Sequence, residues 1–417
     1  NFQTCFHFAV RHFVINRILN DKISIQKALR EGSENPAMTG LLTFHWADDY
    51  GAMLQALGLK RCLERLGEHV EVIPYAPFRL VGRYWWCPLS TTPLPDGGLK
   101  YRINRPRWRR NLTLGGAFWA RRRAMKAFRR RFLSDRLPVR RAERLSLRKY
   151  RCVFVGSDQV WNPDITIVLD DAYIGNVKDR GACRLTAYAA SMGRSSLPEA
   201  DRERFARCVN ERFFAVSVRE ASGAPFLENL LHRRVDSLAD PVLLLRREDW
   251  EEIMRPPPEK DYVLLHYTEH NEEMVQFAGA LARQLGKRVV QTALPLRKPE
   301  AAALRIGIGP GEFLGYIHNA VCVVTNSFHA AAFSVLFEKQ FLVFGHSAYN
   351  ARLTGLLERL GLNTRMRDGT APPSPASMWE EIDWQAVEER LETERGRAVE
   401  FIRNSLEEDG DRPEGPG

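Results

Sequence analysis

The sequence predicts an α/β protein of two Rossmann-like domains that face a cleft, with a basic helical insertion in the first domain. Strand-like and helix-like segments alternate on both sides of the connector at residues 256–258, PPP, which is typical of parallel sheets covered by helices. The length of 417 residues is too great for one ordinary core. Several strand-like segments also end in polar residues, as they do where a crevice site is assembled from an α/β sheet.

We divide the chain into six predicted segments: an extension at 1–37, an N-terminal Rossmann-like domain at 38–255 with a basic insertion at 77–150, a C-terminal Rossmann-like domain at 259–375, a helix that packs back at 376–406, and a disordered tail at 407–417. The extension shows little connection with the rest of the chain, so we expect that it is disordered or not native and that Met38 is the true start. The tail is rich in Gly, Pro and acidic residues, which predicts disorder.

Bulk properties indicate a globular protein without a membrane span. Apolar residues make up 44% of the chain, and no apolar run approaches the roughly 20 residues that cross a bilayer. The first apolar stretch is interrupted by Arg11, His12 and Arg17 and has no small-residue cleavage site, so it resembles neither a signal peptide nor an anchor. We therefore expect a cytoplasmic protein. The seven cysteines are scattered and form no CxxC pair, so neither a disulfide framework nor a metal site is predicted.

The first convincing unit is strand–helix–strand. A strand-like run at 40–44 precedes a helix that Asp48 or Asp49 can cap, and Gly67 is positioned to end that helix. The next run, HVEVIPYAP, alternates like a strand. This order predicts a parallel sheet with a Rossmann-like start. No Gly-rich fingerprint occupies the first turn, which argues against simple NAD binding.

The insertion carries most of the positive charge. Residues 100–151 hold 20 Lys and Arg against Asp135 and Glu143, a balance of +18 that leaves −8 for the rest of the chain. Such a block suggests an anionic partner, and a membrane surface, an acidic glycan and nucleic acid are the candidates. A solvated Arg-rich face is an equally good explanation. Since no recognised binding motif accompanies the charge, nucleic acid is not expected.

A basic amphipathic helix is predicted inside this block. One helical face gathers apolar residues, and arginines occupy much of the remainder: Phe118, Met125, Phe128 and Phe132 against Arg121, Arg122, Arg123, Arg129, Arg130 and Arg131. Such a helix can lie on anionic lipid headgroups. It can equally pack its apolar stripe on the protein and leave the arginines in water.

The segments after the insertion supply the remaining strand ends. A strand at 152–155 leads into the sharp polar exit Gly156-Ser157-Asp158, and the strand in FAVSVREASG leads into a turn with Arg219 and Glu220. After the connector come the strand YVLLHY, the helix NEEMVQFAGALARQLG, the strand KRVVQTA, the helix in GIGPGEFLGYIHNA, the strand VCVVT, the strand in EKQFLVF and the helix ARLTGLLERLG.

The stretch at 321–337, VCVVTNSFHAAAFSVLF, is the predicted centre of the chemistry. Apolar residues lead into the turn Thr325-Asn326-Ser327 and then into a helix-like run that starts at His329. Ligands of open α/β sheets bind beyond the carboxyl ends of the strands, where a helix N-terminus offers N–H groups to anions. A histidine there can transfer protons near neutral pH. Alternatively, His329 caps the helix or satisfies a core polar group.

Seven ordered segments, from about Gly40 to the C-terminal helix, resemble the polysaccharide pyruvyl transferase family: DDYGAMLQALGLKRCLERLG, VFVGSDQVWNP, AYAASMG, SVREASG, ADPVLLL, GPGEFLGYIHNA and TNSFHAAAFSVLF. The resemblance implies a GT-B-like fold with the site between two Rossmann-like domains. It also implies transfer of a pyruvyl group from phosphoenolpyruvate to a sugar of a bacterial surface glycan or its lipid-linked precursor. The expected partners are phosphoenolpyruvate and that glycan acceptor, and no further cofactor is expected.

The resemblance also assigns roles to individual residues. His329 matches the family histidine and is the candidate general acid, and Arg219 matches an arginine near the donor, although a structural salt bridge would also explain Arg219. Asp158 is a candidate base or acceptor ligand, or alternatively a helix cap. Tyr50 and Gly51 stand where a helix start can approach an anion, or where they simply begin the helix. The remaining candidate substrate-binding residues are Ser157, Asn326, Ser327 and Arg352.

One position departs from the family pattern. Ser327-Phe328-His329 stands where better-characterised members tend to have Arg-Leu-His, and Asn326 stands where an Asp is usual. Loss of the arginine removes a charge-assisted contact, which is typically about twice as strong as a neutral hydrogen bond. Arg352 and the arginines of the basic block are the candidates to replace it.

Two alternatives to pyruvyl transfer remain open at this point. The first keeps the fold and makes the chain a GT-B-type glycosyltransferase that uses a nucleotide sugar. The second is a catalytically silent subunit of glycan assembly at the membrane. In either case the basic block at 100–151 can contact an anionic membrane surface, which would place a cytoplasmic protein peripherally at the inner face of the membrane.

Overall fold

The computed structural model describes residues 38–94, 98–293, 303–345, 350–367 and 381–407. The predictions for the extension at 1–37, and for the tail apart from Glu407, fall outside these residues. The described residues form two six-stranded parallel sheets and one antiparallel hairpin. Each sheet belongs to one half of the chain, so the prediction of two Rossmann-like domains is confirmed. The exact domain boundaries stay predictions.

Eight strands lie in the N-terminal half: β1 (Met38–Leu42), β2 (Val70–Val72), β3 (Leu89–Pro93), β4 (Leu99–Ile103), β5 (Tyr150–Gly156), β6 (Arg184–Ala190), β7 (Phe213–Val218) and β8 (Asp236–Ser237). The hairpin is β3–β4, and the other strands pair in the order β2-β1-β5-β6-β7-β8. The order reverses direction between β1 and β5. In a doubly wound sheet this reversal opens a crevice at the carboxyl ends of the two strands.

The C-terminal half repeats this topology. Its strands are β9 (Tyr262–His266), β10 (Arg288–Gln291), β11 (Ala303–Leu304), β12 (Cys322–Thr325), β13 (Gln340–Phe344) and β14 (Met366–Arg367). They pair in the order β11-β10-β9-β12-β13-β14, which reverses direction between β9 and β12. Asn326 and Ser327 of the predicted centre of the chemistry directly follow β12, so this centre lies at the second crevice.

The helices of the N-terminal half are α1 (Tyr50–Arg65), α2 (Phe78–Val81), α3 (Arg105–Leu114), α4 (Gly116–Phe132), α5 (Pro163–Thr166), α6 (Glu199–Arg212), α7 (Ala224–Leu231) and α8 (Arg247–Glu251). Those of the C-terminal half are α9 (Glu272–Gln284), α10 (Pro310–His318), α11 (Phe328–Leu336), α12 (Asn350–Leu360) and α13 (Trp384–Leu406). Each of these helices is too short or too polar to cross a bilayer.

Helix α1 shows how the local sequence fixes the first crevice. The backbone N–H of Ala52 donates to Oδ1 of Asp49 at 3.0 Å, which satisfies one of the free N–H groups of the helix start. The helix ends at Arg65, and Gly67 follows with a φ of +91°. Asp49 is therefore the cap. The cap holds the start of α1 directly beyond the carboxyl end of β1.

The insertion contains the predicted basic helix together with elements that the sequence did not predict. It contains the hairpin β3–β4 before the helices α3 and α4. In α4, Met125 is fully buried and Phe128 nearly so, as the apolar stripe predicted. The α4 alanines Ala117, Ala120 and Ala124 lie beside Gly307 and Gly309 of the C-terminal half. Helix α4 therefore spans the two halves of the molecule.

The two halves share buried contacts beneath the cleft. Tyr50 of α1 stacks on Phe313 of α10 with ring centroids 4.5 Å apart. Helix α13 adds to this connection: Nε of Arg395 donates to the carbonyl of Leu243 at 2.9 Å, and Arg151 donates to the carbonyl of Leu406 at 2.8 Å. Packing of this kind fixes the two crevices opposite each other.

Candidate functional site

The two crevices open into one cavity of about 550 Å³. Each of the four strands at the two reversals is followed by a segment that lines this cavity. The segments are residues 47–51 after β1, Asp158 and Gln159 after β5, residues 266–268 at the end of β9, and residues 326–329 after β12. This is where the strand orders predict a ligand site. The cavity size is in the range of small-ligand sites.

His329 lies at the cavity wall near the start of α11. Helix α11 begins at Phe328, and its cap Ser327 accepts a long hydrogen bond of 3.5 Å from the N–H of Ala330. The imidazole side chain is 11% exposed, and its Nε2 lies 3.7 Å from Oδ2 of Asp240. No described group bonds directly to Nε2. The histidine thus contacts the cavity while a carboxylate lies behind it.

Asp240 is a buried anion directly after β8. Its Oδ2 accepts from Nη1 of Arg219 at 2.6 Å, and its Oδ1 accepts from the N–H of Val242 at 3.1 Å. Burial opposes ionisation of this side chain, but the neighbouring His329 imidazole and Arg219 guanidinium outweigh it and lower the pKa of the Asp240 carboxyl. Asp240 is therefore a fixed negative charge beside His329.

Arg219 does not line the cavity. Its side chain is 3% exposed, and besides Asp240 it lies 3.9 Å from Asp158 and 3.8 Å from Glu220. Its Cζ lies 4.8 Å from the centroid of the Phe328 ring. This guanidinium belongs to the layer behind His329. A direct contact of Arg219 with a donor stays a prediction from the family resemblance.

Gly51 brings the start of α1 against His329. A Cβ atom built on Gly51 would overlap the imidazole at Nδ1. Only glycine at this position leaves the imidazole in its place, since every other side chain begins with a Cβ. Gly51 therefore fixes the position of the histidine.

Tyr50 lies at the same helix start and joins three elements. Its hydroxyl accepts from Arg121 of α4, whose Cζ also lies 4.1 Å from the centroid of the Tyr50 ring. The other face of the ring stacks on Phe313. Tyr50 lines the cavity, and its contacts hold α4 against both halves of the protein.

Asp158 and Ser157 are neighbouring candidate site residues, but only Asp158 lines the cavity. Asp158 lines the cavity with a φ of +67°, and its Oδ1 accepts from the N–H of Gln159 at 2.8 Å. Ser157 is fully buried, and its hydroxyl donates to the carbonyl of Ala189 at 2.9 Å. Of the two, Asp158 is in a position to reach a substrate.

Asn326 and Ser327 line the cavity beside His329, as does Arg352. The Asn326 side chain ties two loops together, because its Oδ1 accepts from the N–H of Thr268 at 2.9 Å and its Nδ2 donates to the carbonyl of Glu269 at 2.7 Å. A carboxylate could accept the first of these bonds but could not donate the second. Asn326 therefore makes both of these hydrogen bonds, whereas an ionised Asp at this position would make only the first.

Arginines of the insertion form part of the cavity wall. Arg121 contacts Tyr50, Arg122 pairs with Asp48 at 3.5 Å, and Arg129 is buried and pairs with Asp48 at 3.0 Å. Among the predicted α4 arginines, Arg123, Arg130 and Arg131 are exposed. The cations that line the cavity are Arg83, Arg107, Arg110, Arg121, Arg122 and Arg352.

Sequence reasoning missed two further site groups. Asp240 follows a strand end in ADPVLLL, and that position was the available signal, although Asp before Pro also suggests a simple cap. His266 ends β9 and lines the cavity. Burial lowers the pKa of His266 to about 3, so this imidazole is neutral at physiological pH. Its Nδ1 lies 3.0 Å from the hydroxyl of Thr292.

The described residues contain no group of three or more His, Cys, Asp or Glu side chains placed to hold a metal ion. His329, Asp158 and the arginine wall meet at the cavity, and Asp240 lies behind His329. That combination suits transfer of a group carried by an anionic substrate.

Comparison with known proteins gives one match of sequence and several of shape. The family model described as "Polysaccharide pyruvyl transferase" matches residues 49–348. No individual curated protein matches the sequence. The structure is similar to a UDP-GlcNAc 2-epimerase of Methanocaldococcus jannaschii (12% identity, 89% of this chain and 99% of that chain, TM-score 0.43). It is also similar to UGT89C1 of Arabidopsis thaliana complexed with UDP-L-rhamnose (10% identity, 89% and 99%, TM-score 0.46). Similarity at this level supports no statement about activity.

Proposed function

The chain belongs to the polysaccharide pyruvyl transferase family, and from this premise we propose that it transfers a pyruvyl group from phosphoenolpyruvate to a sugar of a cell-surface polysaccharide or its lipid-linked precursor. The observation that carries the proposal is the position of His329. It contacts the cavity at the start of α11 and has the ionised Asp240 behind it. This arrangement provides a proton donor at a site with many cations.

The proposed reaction needs a proton donor and a base. A proton is added to the methylene carbon of phosphoenolpyruvate while a sugar hydroxyl oxygen bonds to the adjacent carbon and loses its own proton to the base. A second hydroxyl of the same sugar then bonds to that carbon and gives its proton to the deprotonated His329, as the carbon–oxygen bond to phosphate breaks and the phosphate takes up the proton held by the base. The products are a cyclic ketal and inorganic phosphate. We assign His329 as the acid and Asp158 as the base.

The negative charges of the donor require fixed positive groups. Phosphoenolpyruvate carries a phosphate and a carboxylate, and six arginines of the described residues line the cavity. Guanidinium groups bind both anions in bidentate fashion. In this chain Ser327 stands in place of the usual family arginine. Arg121 and Arg352 are the proposed replacements for that arginine, since both line the same cavity as His329.

Asp240 and Arg219 support the acid through contacts behind the imidazole. A carboxylate 3.7 Å from Nε2 stabilises a positive charge on the imidazole, and Arg219 holds that carboxylate in place through a 2.6 Å hydrogen bond. We therefore treat both as positioning residues.

Phosphate release and acceptor mass test the proposal. The purified chain is incubated with phosphoenolpyruvate and a panel of methyl pyranosides and lipid-linked glycans, and both products are followed. His329→Gln is expected to lower the rate by about 10²-fold or more. His69→Gln, at an exposed histidine outside the cavity, is the matched control. Equal rates for His329→Gln and the wild type would refute the assigned acid.

A binding measurement separates this function from nucleotide-sugar transfer. Phosphoenolpyruvate at about 100 times its Kd should stabilise the fold by about 2.7 kcal/mol, which thermal unfolding detects. Uridine diphosphate should produce no such shift. Stabilisation by uridine diphosphate alone would instead favour a glycosyltransferase and would overturn the proposed donor.

A further inference from the structure

Exposed large apolar side chains are concentrated in one part of the molecule. Among the described residues, all eight of them lie between positions 78 and 137. They are Phe78, Leu94, Tyr101, Ile103, Trp108, Leu112, Trp119 and Leu137. Concentration of this kind marks an interaction surface, since single exposed apolar residues are otherwise scattered over a protein.

Helix α3 separates this surface from the cavity. Arg107, Arg110, Asn111 and Leu114 recur at helical spacing and line the cavity. The opposite side of the helix carries Trp108 (38% exposed) and Leu112 (49% exposed), one turn apart, with the exposed Arg105 and Arg109 beside them. We call these four residues the outer face of α3. One helix thus contacts the substrate cavity and solvent with two different faces.

The elements before and after α3 along the chain also expose apolar side chains. Ile103, the last residue of β4, is 53% exposed, and Trp119 of α4 is 54% exposed. Trp119 shares its side of α4 with the exposed cations Arg123, Lys126 and Arg130. Apolar and basic side chains therefore alternate over the hairpin and both helices.

The charge of this region has one sign. Residues 98–134 contain 13 Lys and Arg and no Asp or Glu. An isologous contact between two copies of the chain would bring these like charges together, which disfavours dimerisation through this face. Nucleic acid offers phosphates, but Ile103 and Leu112 have no aromatic face to stack on a base. A bilayer with anionic headgroups matches both the cations and the aliphatic side chains.

We propose that the outer face of α3, with Ile103 and Trp119, docks the protein on an anionic lipid bilayer. The tryptophans lie at the headgroup level, where their amphipathic rings are preferred, and the aliphatic side chains reach the acyl boundary. Because the other face of α3 lines the cavity, docking places the cavity beside the headgroups, where a lipid-linked glycan is held. The docking itself depends on this surface and not on the proposed reaction.

Vesicle co-sedimentation of the full chain tests the docking. We expect binding to vesicles of phosphatidylcholine mixed with phosphatidylglycerol and much weaker binding to phosphatidylcholine alone. Arg105→Gln with Arg109→Gln should weaken binding by about 30-fold, since each cation near such a surface contributes about fivefold. The matched control is Arg283→Gln with Arg288→Gln, which removes two exposed cations from the C-terminal half and should leave binding almost unchanged.

A second variant tests the apolar contribution. Trp108→Ser with Leu112→Ser keeps every charge and should also weaken binding to the mixed vesicles, while thermal unfolding and the shift induced by phosphoenolpyruvate stay at their wild-type values. These readouts show that the fold and the cavity are intact.

Equal binding to both vesicle types would overturn the proposal, and so would wild-type binding by both outer-face variants. The proposal would also fail if Trp108→Ser with Leu112→Ser abolished a dimer and left vesicle binding unchanged. A fourth contrary result is that single-stranded RNA displaces the protein from vesicles at a lower concentration than competing lipid does. Failure of pyruvyl transfer with intact vesicle binding would refute only the proposed function.

Discussion

Nε2 of His329 lies 3.7 Å from Oδ2 of Asp240, and the same oxygen accepts a 2.6 Å hydrogen bond from Arg219. The carboxylate therefore joins a buried cation to the imidazole at the cavity wall. Charges removed from water are stable only when paired. Each of the three groups depends on the other two, and the cluster can be tested by changing one charge at a time.

Asp240→Asn is expected to impair both catalysis and folding. The amide keeps the shape but no longer stabilises a positive imidazole, so turnover should fall by about 10²-fold. It also leaves the buried Arg219 without its closest anion, which should reduce the free energy of unfolding by about 3 kcal/mol. Steady-state kinetics and urea denaturation measure the two effects.

The double variant Arg219→Gln with Asp240→Asn separates these effects. Removal of both charges should recover part of the lost stability, because no buried guanidinium is left without its closest anion. Turnover should stay low, since His329 still lacks its carboxylate. A single Asp240→Asn protein with wild-type turnover would contradict the positioning role of Asp240.

Gly51→Ala should displace the His329 imidazole. The added Cβ would overlap Nδ1 of His329, and a misplacement of about 1 Å can cost about 10²-fold in rate. Gly396→Ala in α13 is the control, because nothing lies within 4 Å of a Cβ at that position. That change should keep activity and raise stability by about 0.5–1 kcal/mol. Full activity in Gly51→Ala would show that the imidazole is free to move.

Two buried histidines predict a loss of stability in mild acid. Burial lowers the pKa of His45 and of His266 from 6.5 to about 3. Between these values the unfolded chain binds protons that the folded chain does not, so stability falls as the pH drops below 6.5. The fall should approach about 1.4 kcal/mol per pH unit for each histidine.

Urea denaturation at a series of pH values between neutral and mildly acidic checks this expectation. His266→Gln removes one of the two contributions and should reduce the slope of stability against pH. His69→Gln, at an exposed histidine, should leave the slope as it is. A slope that His266→Gln does not change would contradict the neutral state assigned to the buried His266.

The alternation of strands and helices was readable from the sequence because it is local. Apolar periodicity and a cap at Asp48 or Asp49 predicted α1, and the polar turn before His329 predicted the start of α11. The location of the cavity followed from these elements, since strand ends of a parallel sheet share one edge. Binding roles for Arg219, Asp158 and the other candidates stay predictions.

The features that could not be predicted depend on tertiary packing. Periodicity assigns Arg121 and Arg129 to a polar part of α4, but it does not show that Asp48, Trp46 and Tyr50 lie opposite them. Cζ of Arg129 lies 4.8 Å from the centroid of the Trp46 ring, and these contacts turn the arginines inward. Asp240 was missed for the same reason, because its partners lie 21 and 89 positions away along the chain.

Arg110 provides the last prediction, because it lies on the cavity side of α3 near the positive charges of Arg107 and Arg121. Burial lowers the pKa of its guanidinium, and so do the charges of Arg107 and Arg121, while its buried Nε has no hydrogen-bond partner among the described residues. A cation in such surroundings gains from an anionic ligand. Arg110→Gln should therefore weaken binding of an anionic substrate by about 10- to 150-fold, since one charge-assisted hydrogen bond contributes about 1.5–3 kcal/mol.

Stability should change little in Arg110→Gln, because the substitution removes repulsion among neighbouring arginines as well as favourable contacts. The matched control is Arg109→Gln on the outer face of the same helix, which should leave the KM for phosphoenolpyruvate and for soluble acceptors at the wild-type value. If both variants raise the KM equally, the effect comes from the general positive field of the insertion. An increase in Arg110→Gln alone would assign the anion contact to the inner face of α3.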